Sequence, residues 1–202
     1  MTSLLVIQRA ACVVIALAVG LMTSVALAQQ PLTVKALAEK KVDELPKGEL
    51  FWQIETFPSL EQAKAAAGPW SLPVESAGKV WLFTLGPASG ASLQGTKVAE
   101  VGPITRVTAK HYLLRINDAA GAPGSVTSVH SHPGSEAFFV LTGEQSIRGA
   151  GGVQRVKAGQ AEAGQRAGTA MQVSSTGSTD LHALVMFVVD ADKPFSSPAS
   201  LH

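Results

Sequence analysis

Two of the five histidines in this 202-residue chain stand one residue apart, in the stretch HSHPGSEAFFVLTG, His130 to Gly143. Side chains alternate across a β-strand, so His130 and His132 share a face if this segment is extended. Pro133-Gly134-Ser135 breaks the strand, and a second one opens at Glu136, with Glu136, Phe138 and Val140 on one face. Two neutral imidazoles and a carboxylate brought to one side of a divalent cation form the two-histidine, one-carboxylate arrangement, which leaves coordination positions open for substrate, water or dioxygen. The competing reading of these residues is a hydrogen-bonded polar pair near a strand end. Phe138 and Val140 would supply an apolar wall beside the carboxylate.

These residues need elements to hold them, and from Val80 onward the chain is a series of short β-prone runs separated by Gly, Pro, Ser and Asn. Strands are expected at 80–85 (VWLFTL), 111–116 (HYLLRI), 125–132 (SVTSVHSH), 137–142 (AFFVLT), 145–148 (QSIR), 153–156 (VQRV), 170–175 (AMQVSS) and 181–189 (LHALVMFVV). GAGG at 149–152 reads as a hairpin turn, and the whole pattern predicts an all-β sandwich or barrel. Upstream, Gln29 to about Lys47 reads as a polar, extended lead-in arm, and LFWQIETF at 50–57 as a strand. Ser59 with Gln62 three residues later makes a capping-box pattern for a short helix over 59–67, which Gly68 and Pro69 end.

The first residues read as a processing signal. Arg9 is the only charge before Lys35, Ala11 to Ala28 is uncharged, and Ala26-Leu27-Ala28 precedes Gln29 as an A-x-A cleavage pattern. Residues 1–28 are therefore expected to be a removable signal peptide, and the chain to be exported, periplasmic or secreted. The rival reading is an uncleaved membrane anchor. Cleavage would remove Arg9 and Cys12, so that the 16 basic side chains become equal to the 15 acidic ones and no cysteine remains. A neutral surface gives no electrostatic reason for a nucleic-acid or membrane partner, and without cysteine there are neither disulfides nor thiolate metal ligands. G-x-S-x-G, P-loop and zincin motifs are absent from the sequence, which leaves hydrolase and nucleotide chemistry without support.

The spacing from Gly124 through His130, His132 and Glu136 to Gly143 resembles the first signature of the cupin superfamily at every position. The resemblance implies an antiparallel jelly-roll β-barrel over residues 80–191, preceded by an extension at 29–79 and followed by a tail at 192–202. It further implies a divalent metal (Fe, Mn, Zn, Ni or Cu) on His130, His132 and Glu136 in the barrel mouth, a small-molecule ligand or substrate, and pairing into a homodimer. Families with this signature include dioxygenases, isomerases, decarboxylases, storage proteins and ligand-binding domains, so the resemblance locates a site without naming its reaction. A metal-dependent oxidoreductase of the dioxygenase type is one expectation. A non-catalytic barrel for sensing, scavenging or transport is the alternative, and a structural barrel with a vestigial site a third.

The second signature departs from the pattern. Gly159 and Gly168 match its glycines with one residue too many between them, Met171 stands where a histidine is expected, and Ser175 where an asparagine is expected. Met171 could fill the barrel as an ordinary buried methionine, act as a soft thioether ligand, or leave a three-ligand site. His182, opening the last long strand, is a candidate replacement ligand against the reading of an ordinary edge-strand histidine. His111 and Arg115 are candidates for the barrel mouth.

Overall fold

The computed structural model describes residues 30–90 and 94–201. The signal-peptide reading of residues 1–28 and the terminal His202 lie outside them. Fourteen strands and one helix are described, in the order β1 (Thr33–Val42), β2 (Leu50–Phe57), α1 (Leu60–Ala66), β3 (Ser71–Ser76), β4 (Lys79–Gly86), β5 (Thr96–Ile104), β6 (Tyr112–Gly121) and β7 (His130–Ser131). There follow β8 (Gly134–Thr142), β9 (Glu144–Gly149), β10 (Gly152–Lys157), β11 (Ala161–Ala163), β12 (Met171–Ser175), β13 (Leu181–Asp190) and β14 (Ser197–Pro198).

Three antiparallel sheets are stacked. The middle sheet runs β1-β6-β13-β8-β11, the front sheet β10-β9-β12-β7-β14 and the back sheet β3-β4-β2-β5. Front and middle sheets enclose one apolar core and form the all-β, antiparallel jelly-roll barrel. Middle and back sheets enclose another. The middle strands therefore bury both faces, which is why β13 reads as the nearly unbroken apolar run LHALVMFVVD. On β13, Ala183, Val185 and Phe187 enter the front core while Leu184, Met186 and Val188 enter the back core. The same alternation on β8 sends Phe138 and Val140 forward and Ala137 and Phe139 backward.

Two segments take places the sequence did not suggest. VWLFTL, expected in the barrel, is β4 of the back sheet, where Trp81 and Phe83 join Trp52 and Ile54 of β2 behind the middle sheet. The polar lead-in arm is β1, which pairs along its length with β6. As an edge strand it has one free side, and Lys35, Lys40 and Lys41 suit a strand that must not recruit another chain. The stretch expected as a strand over 125–132 is regular only at β7. Its earlier residues are bonded singly, Val126 to Leu32 and Gln30, and Thr127 to Val173.

Local signals elsewhere hold. Ser59 Oγ accepts the Gln62 N–H at 3.2 Å and starts α1, whose Ala63 packs with Phe57 and Leu82 on the far side of the back sheet. Gly149 and Gly152 face each other as the closing pair of the β9–β10 hairpin. Gly143, between β8 and β9, has φ +74°, and a Cβ there would lie 2.8 Å from the Asp180 carbonyl oxygen. No other residue suits that turn.

Candidate metal centre and cavity

The middle and front sheets part at one end of the barrel around a cavity of about 430 Å³. His130 arrives from β7 in the front sheet and Glu136 from β8 in the middle sheet, while His132 sits in the turn between them; all three line the cavity. The two imidazole rings are 4.9 Å apart, edge to face at 80°. His130 Nδ1 donates to the Ser128 carbonyl at 2.9 Å and His132 Nδ1 to the Phe195 carbonyl at 2.7 Å. A carbonyl only accepts, so each Nδ1 carries a ring hydrogen, and in the neutral ring it is Nε2 that offers a lone pair. Carbonyl-tethered imidazoles with a free second nitrogen are the form that ligates metals.

The C-terminal segment takes part in this arrangement. Phe195 supplies the carbonyl to His132, and its ring packs 4.7 Å from the His132 ring and 4.9 Å from Phe187. The Arg115 guanidinium lies 4.0 Å from the centre of the Phe195 ring. Arg115 is itself held by Glu39 Oε1 at 2.7 Å and by Asn117 Oδ1 at 2.6 Å. Glu39 and Arg115 are direct partners in the β1–β6 register. Thus β1, β6 and the tail together hold His132 in place.

Burial sets the protonation of this site. His132 is driven down from 6.5 to about 4 mainly by desolvation, with the neighbouring His130 and Arg115 acting in the same direction against the Phe195 carbonyl. It is neutral at pH 7. Burial likewise drives the Glu136 carboxyl up from 4.5 to about 8, opposed only by the Gln165 N–H, 3.4 Å from Oε1. The close approach of that segment needs Gly164, where a Cβ would fall 2.3 Å from the Phe138 ring and 2.5 Å from Glu136 Cγ.

The remaining candidates separate clearly. Phe138 lines the cavity, whereas Val140 is buried in the front core beyond it. Met171 is the direct partner of His130 in the β12–β7 register, is 1% exposed, and packs in the front core without lining the cavity. His182 points to the opposite side of the middle sheet from the cavity. Its Nε2 lies 2.9 Å from Asp118 Oδ2 and 3.4 Å from Ser76 Oγ of the back sheet, because the alternation that turns Ala183 inward turns its neighbour outward. His182 is therefore no substitute for the missing histidine. His111 faces Asp192 at 3.2 Å, while Arg115 does line the cavity.

Sequence reading missed Asn117, Gln145, Phe187 and Phe195, which also line the cavity. The signals for two of them were present. HYLLRI continues through NDAAG, placing Asn117 on the face of Arg115, and QSIR places Gln145 on the face of Ile147. Phe195 gave none, since it lies in an irregular segment that reaches the site from 63 residues away.

No family model and no curated protein matches the chain. Among solved structures it is similar to a cupin-like protein from Thermotoga maritima, at 17% identity over 44% of this chain and 65% of the other, with a TM-score of 0.39. It is similar to an oxalate oxidase in complex with the substrate analogue glycolate, at 22% identity over 42% and 45% of the two chains, TM-score 0.35. It is similar too to a polyketide cyclase from Streptomyces resistomycificus, at 18% identity over 44% and 62%, TM-score 0.36. In each case the chain covers less than two thirds of the other's length, and the jelly-roll assignment here rests on the chain's own strand pairing.

The two imidazoles fit a divalent metal, being tethered through Nδ1 and in one cavity. The third donor is less ready. Among the described residues no three His, Cys, Asp or Glu side chains are gathered closely enough to hold an ion, and Glu136 must first lose its proton.

Proposed function

We propose that this chain is an exported, cupin-type protein that binds a divalent metal through Nε2 of His130 and His132, with Glu136 as third donor, beside a small-molecule cavity. The observation that carries this reading is the pair of Nδ1–H bonds to the Ser128 and Phe195 carbonyls, which present both imidazoles in the ligating tautomer. A metal so held would supply Lewis acidity and open positions for a small molecule or dioxygen, in keeping with an oxidoreductase of the dioxygenase type. The chain's own contribution is to keep His132 neutral by burial, to orient it from the tail, and to set Phe138 and Phe187 against whatever enters.

Elemental analysis of the mature protein, purified from the periplasm beside His130→Ala, tests the site. Stoichiometric metal in the parent and none in the variant is the expected result; equal metal in both would sink it. Intact mass on the same sample tests export, with removal of Met1 to Ala28 expected. A second reading, a non-catalytic small-molecule binder, is favoured by one observation: Glu136 lies buried without a cationic partner among the described residues, and burial raises its pKa to about 8, which suits a hydrogen-bonding carboxyl. A parent free of metal that still binds small molecules would select it.

A further inference from the structure

Gln145 is wholly buried on β9, yet neither its side-chain oxygen nor its nitrogen has a hydrogen-bond partner among the described residues, and it lines the same cavity as the histidines. Its backbone is already occupied, paired with Val156 on one side and Ser175 on the other. The fold therefore asks nothing of the carboxamide. A buried amide with no partner forfeits its hydration without return, and leucine in its place would remove that loss. Directly opposite on β12, Ser175 carries a second buried, unpartnered group, its Oγ. Directly opposite residues of an antiparallel pair project to the same face, so the two orphaned groups are neighbours. Asn117 adds a donor, because its Oδ1 is taken by Arg115 and its amide nitrogen is the end left for another partner. Two uncharged carboxamides, Gln145 and Asn117, thus meet the cavity beside Phe138, Phe187 and Val185, with the Ser175 hydroxyl buried next to Gln145.

Charge narrows the class of ligand. Among the described residues Arg115 is the only Lys or Arg lining the cavity, and it is already committed to Glu39 and Asn117. An anion entering from solvent would find no uncommitted Lys or Arg among the described residues of the walls. An uncharged molecule with a donor and an acceptor side by side would satisfy both ends of a carboxamide at once.

We propose that the cavity takes a neutral small molecule whose apolar, ring-sized body lies against Phe138 and Phe187 and whose carboxamide- or lactam-like end pairs with Gln145. This rests on the small-molecule part of the reading above and requires no metal.

The test uses the mature chain after chelator treatment, with benzamide, benzoate and toluene titrated as probes and followed by calorimetry. Benzamide should bind the parent more tightly than benzoate, and about tenfold or more weaker to Gln145→Leu, since that variant leaves the probe's amide unpaired. Toluene should bind parent and variant alike. Without any probe, Gln145→Leu should melt no lower than the parent; Gln145→Met, closer in length, serves the same comparison if leucine does not pack. A variant that keeps full benzamide affinity overturns the proposal, as does one that melts lower than the parent with both substitutions, or benzoate binding as well as benzamide. Metal content measured on preparations before chelation separates the two readings: benzamide binding by a parent that never held metal supports this inference while removing the metal site, and metal without benzamide binding does the reverse.

Discussion

The two faces of the middle sheet are built from the same strands and do different work. Its back face is closed: Leu114, Ile116, Ala137, Phe139, Leu184 and Met186 meet the aromatic side chains of the back sheet, with Trp81 at 5.8 Å from Phe139 edge to face. Its front face begins as a core around Met171 and Val140 and then opens, replacing apolar side chains with Arg115, Asn117 and Glu136. One residue of register separates the faces, so Ile116 is sealed while Asn117 lines a cavity. Density on one side lets the other carry groups that stability alone would not select.

Breaking the closed face should have the largest effect on stability and the least on binding. Phe139→Ala removes a ring from the back core and is expected to cost about 3 to 5 kcal/mol in denaturant unfolding, with metal content unchanged in the protein that remains folded. If that variant loses metal while still folded, the two faces are not independent.

On the open face the tail is the sharper target. Ending the chain after Pro194 deletes the carbonyl that fixes the His132 tautomer and the ring that packs on it. Losing such a support typically weakens metal binding about 10- to 100-fold, and equilibrium dialysis should show this with a much smaller change in melting temperature than Phe139→Ala. Unchanged affinity would mean that the tail covers the site without orienting it.

Protonation offers a third distinction, with opposite signs at two residues. His132, lowered to about 4, lets unfolded chains bind a proton that folded ones do not, so its stability contribution is present above about 6.5 and is lost as pH falls toward 4. Glu136, raised to about 8, contributes below about 4.5 and is lost as pH rises toward 8. Between about 6.5 and 8 only Glu136 operates, and the metal-free parent should lose up to about 1.4 kcal/mol per pH unit relative to Glu136→Gln. Parallel pH profiles of the two proteins over that window would show that the carboxyl titrates normally. Metal binding, which needs the ionised carboxylate, should strengthen over the same rise in pH.

The smallest effect is expected at Met171. Met171→Leu keeps volume and apolarity in the sealed part of the front core, should cost less than about 1.5 kcal/mol, and should leave metal identity and affinity unchanged. A selective loss of Cu(I) would restore the thioether as a ligand.

Period-two alternation and turn chemistry were enough to read much of this from the sequence alone. They place His130 with His132, and Glu136 with Phe138, on cavity-facing sides; they mark the Gly149–Gly152 hairpin and the Ser59 cap. All are local effects, set by sterics and hydrogen bonds within a few residues. What alternation leaves undetermined is which sheet a strand joins and which of its faces meets which layer. VWLFTL has the composition of a barrel strand, and only its pairing with β2 and β3 makes it part of the back sheet. Polar TVKALAEKKV sets only Leu37, Ala38 and Val42 against the back core, and β1 is a strand chiefly by virtue of the hydrogen bonds β6 offers it. At His182 the local pattern allowed either face; the arrival of Asp118 and Ser76 from strands distant in sequence decided for the outer one. The tail's carbonyl on His132 and the empty-handed amide of Gln145 are likewise tertiary facts, because the presence or absence of a partner depends on what chain closure brings within hydrogen-bond reach, and residue type alone does not encode that.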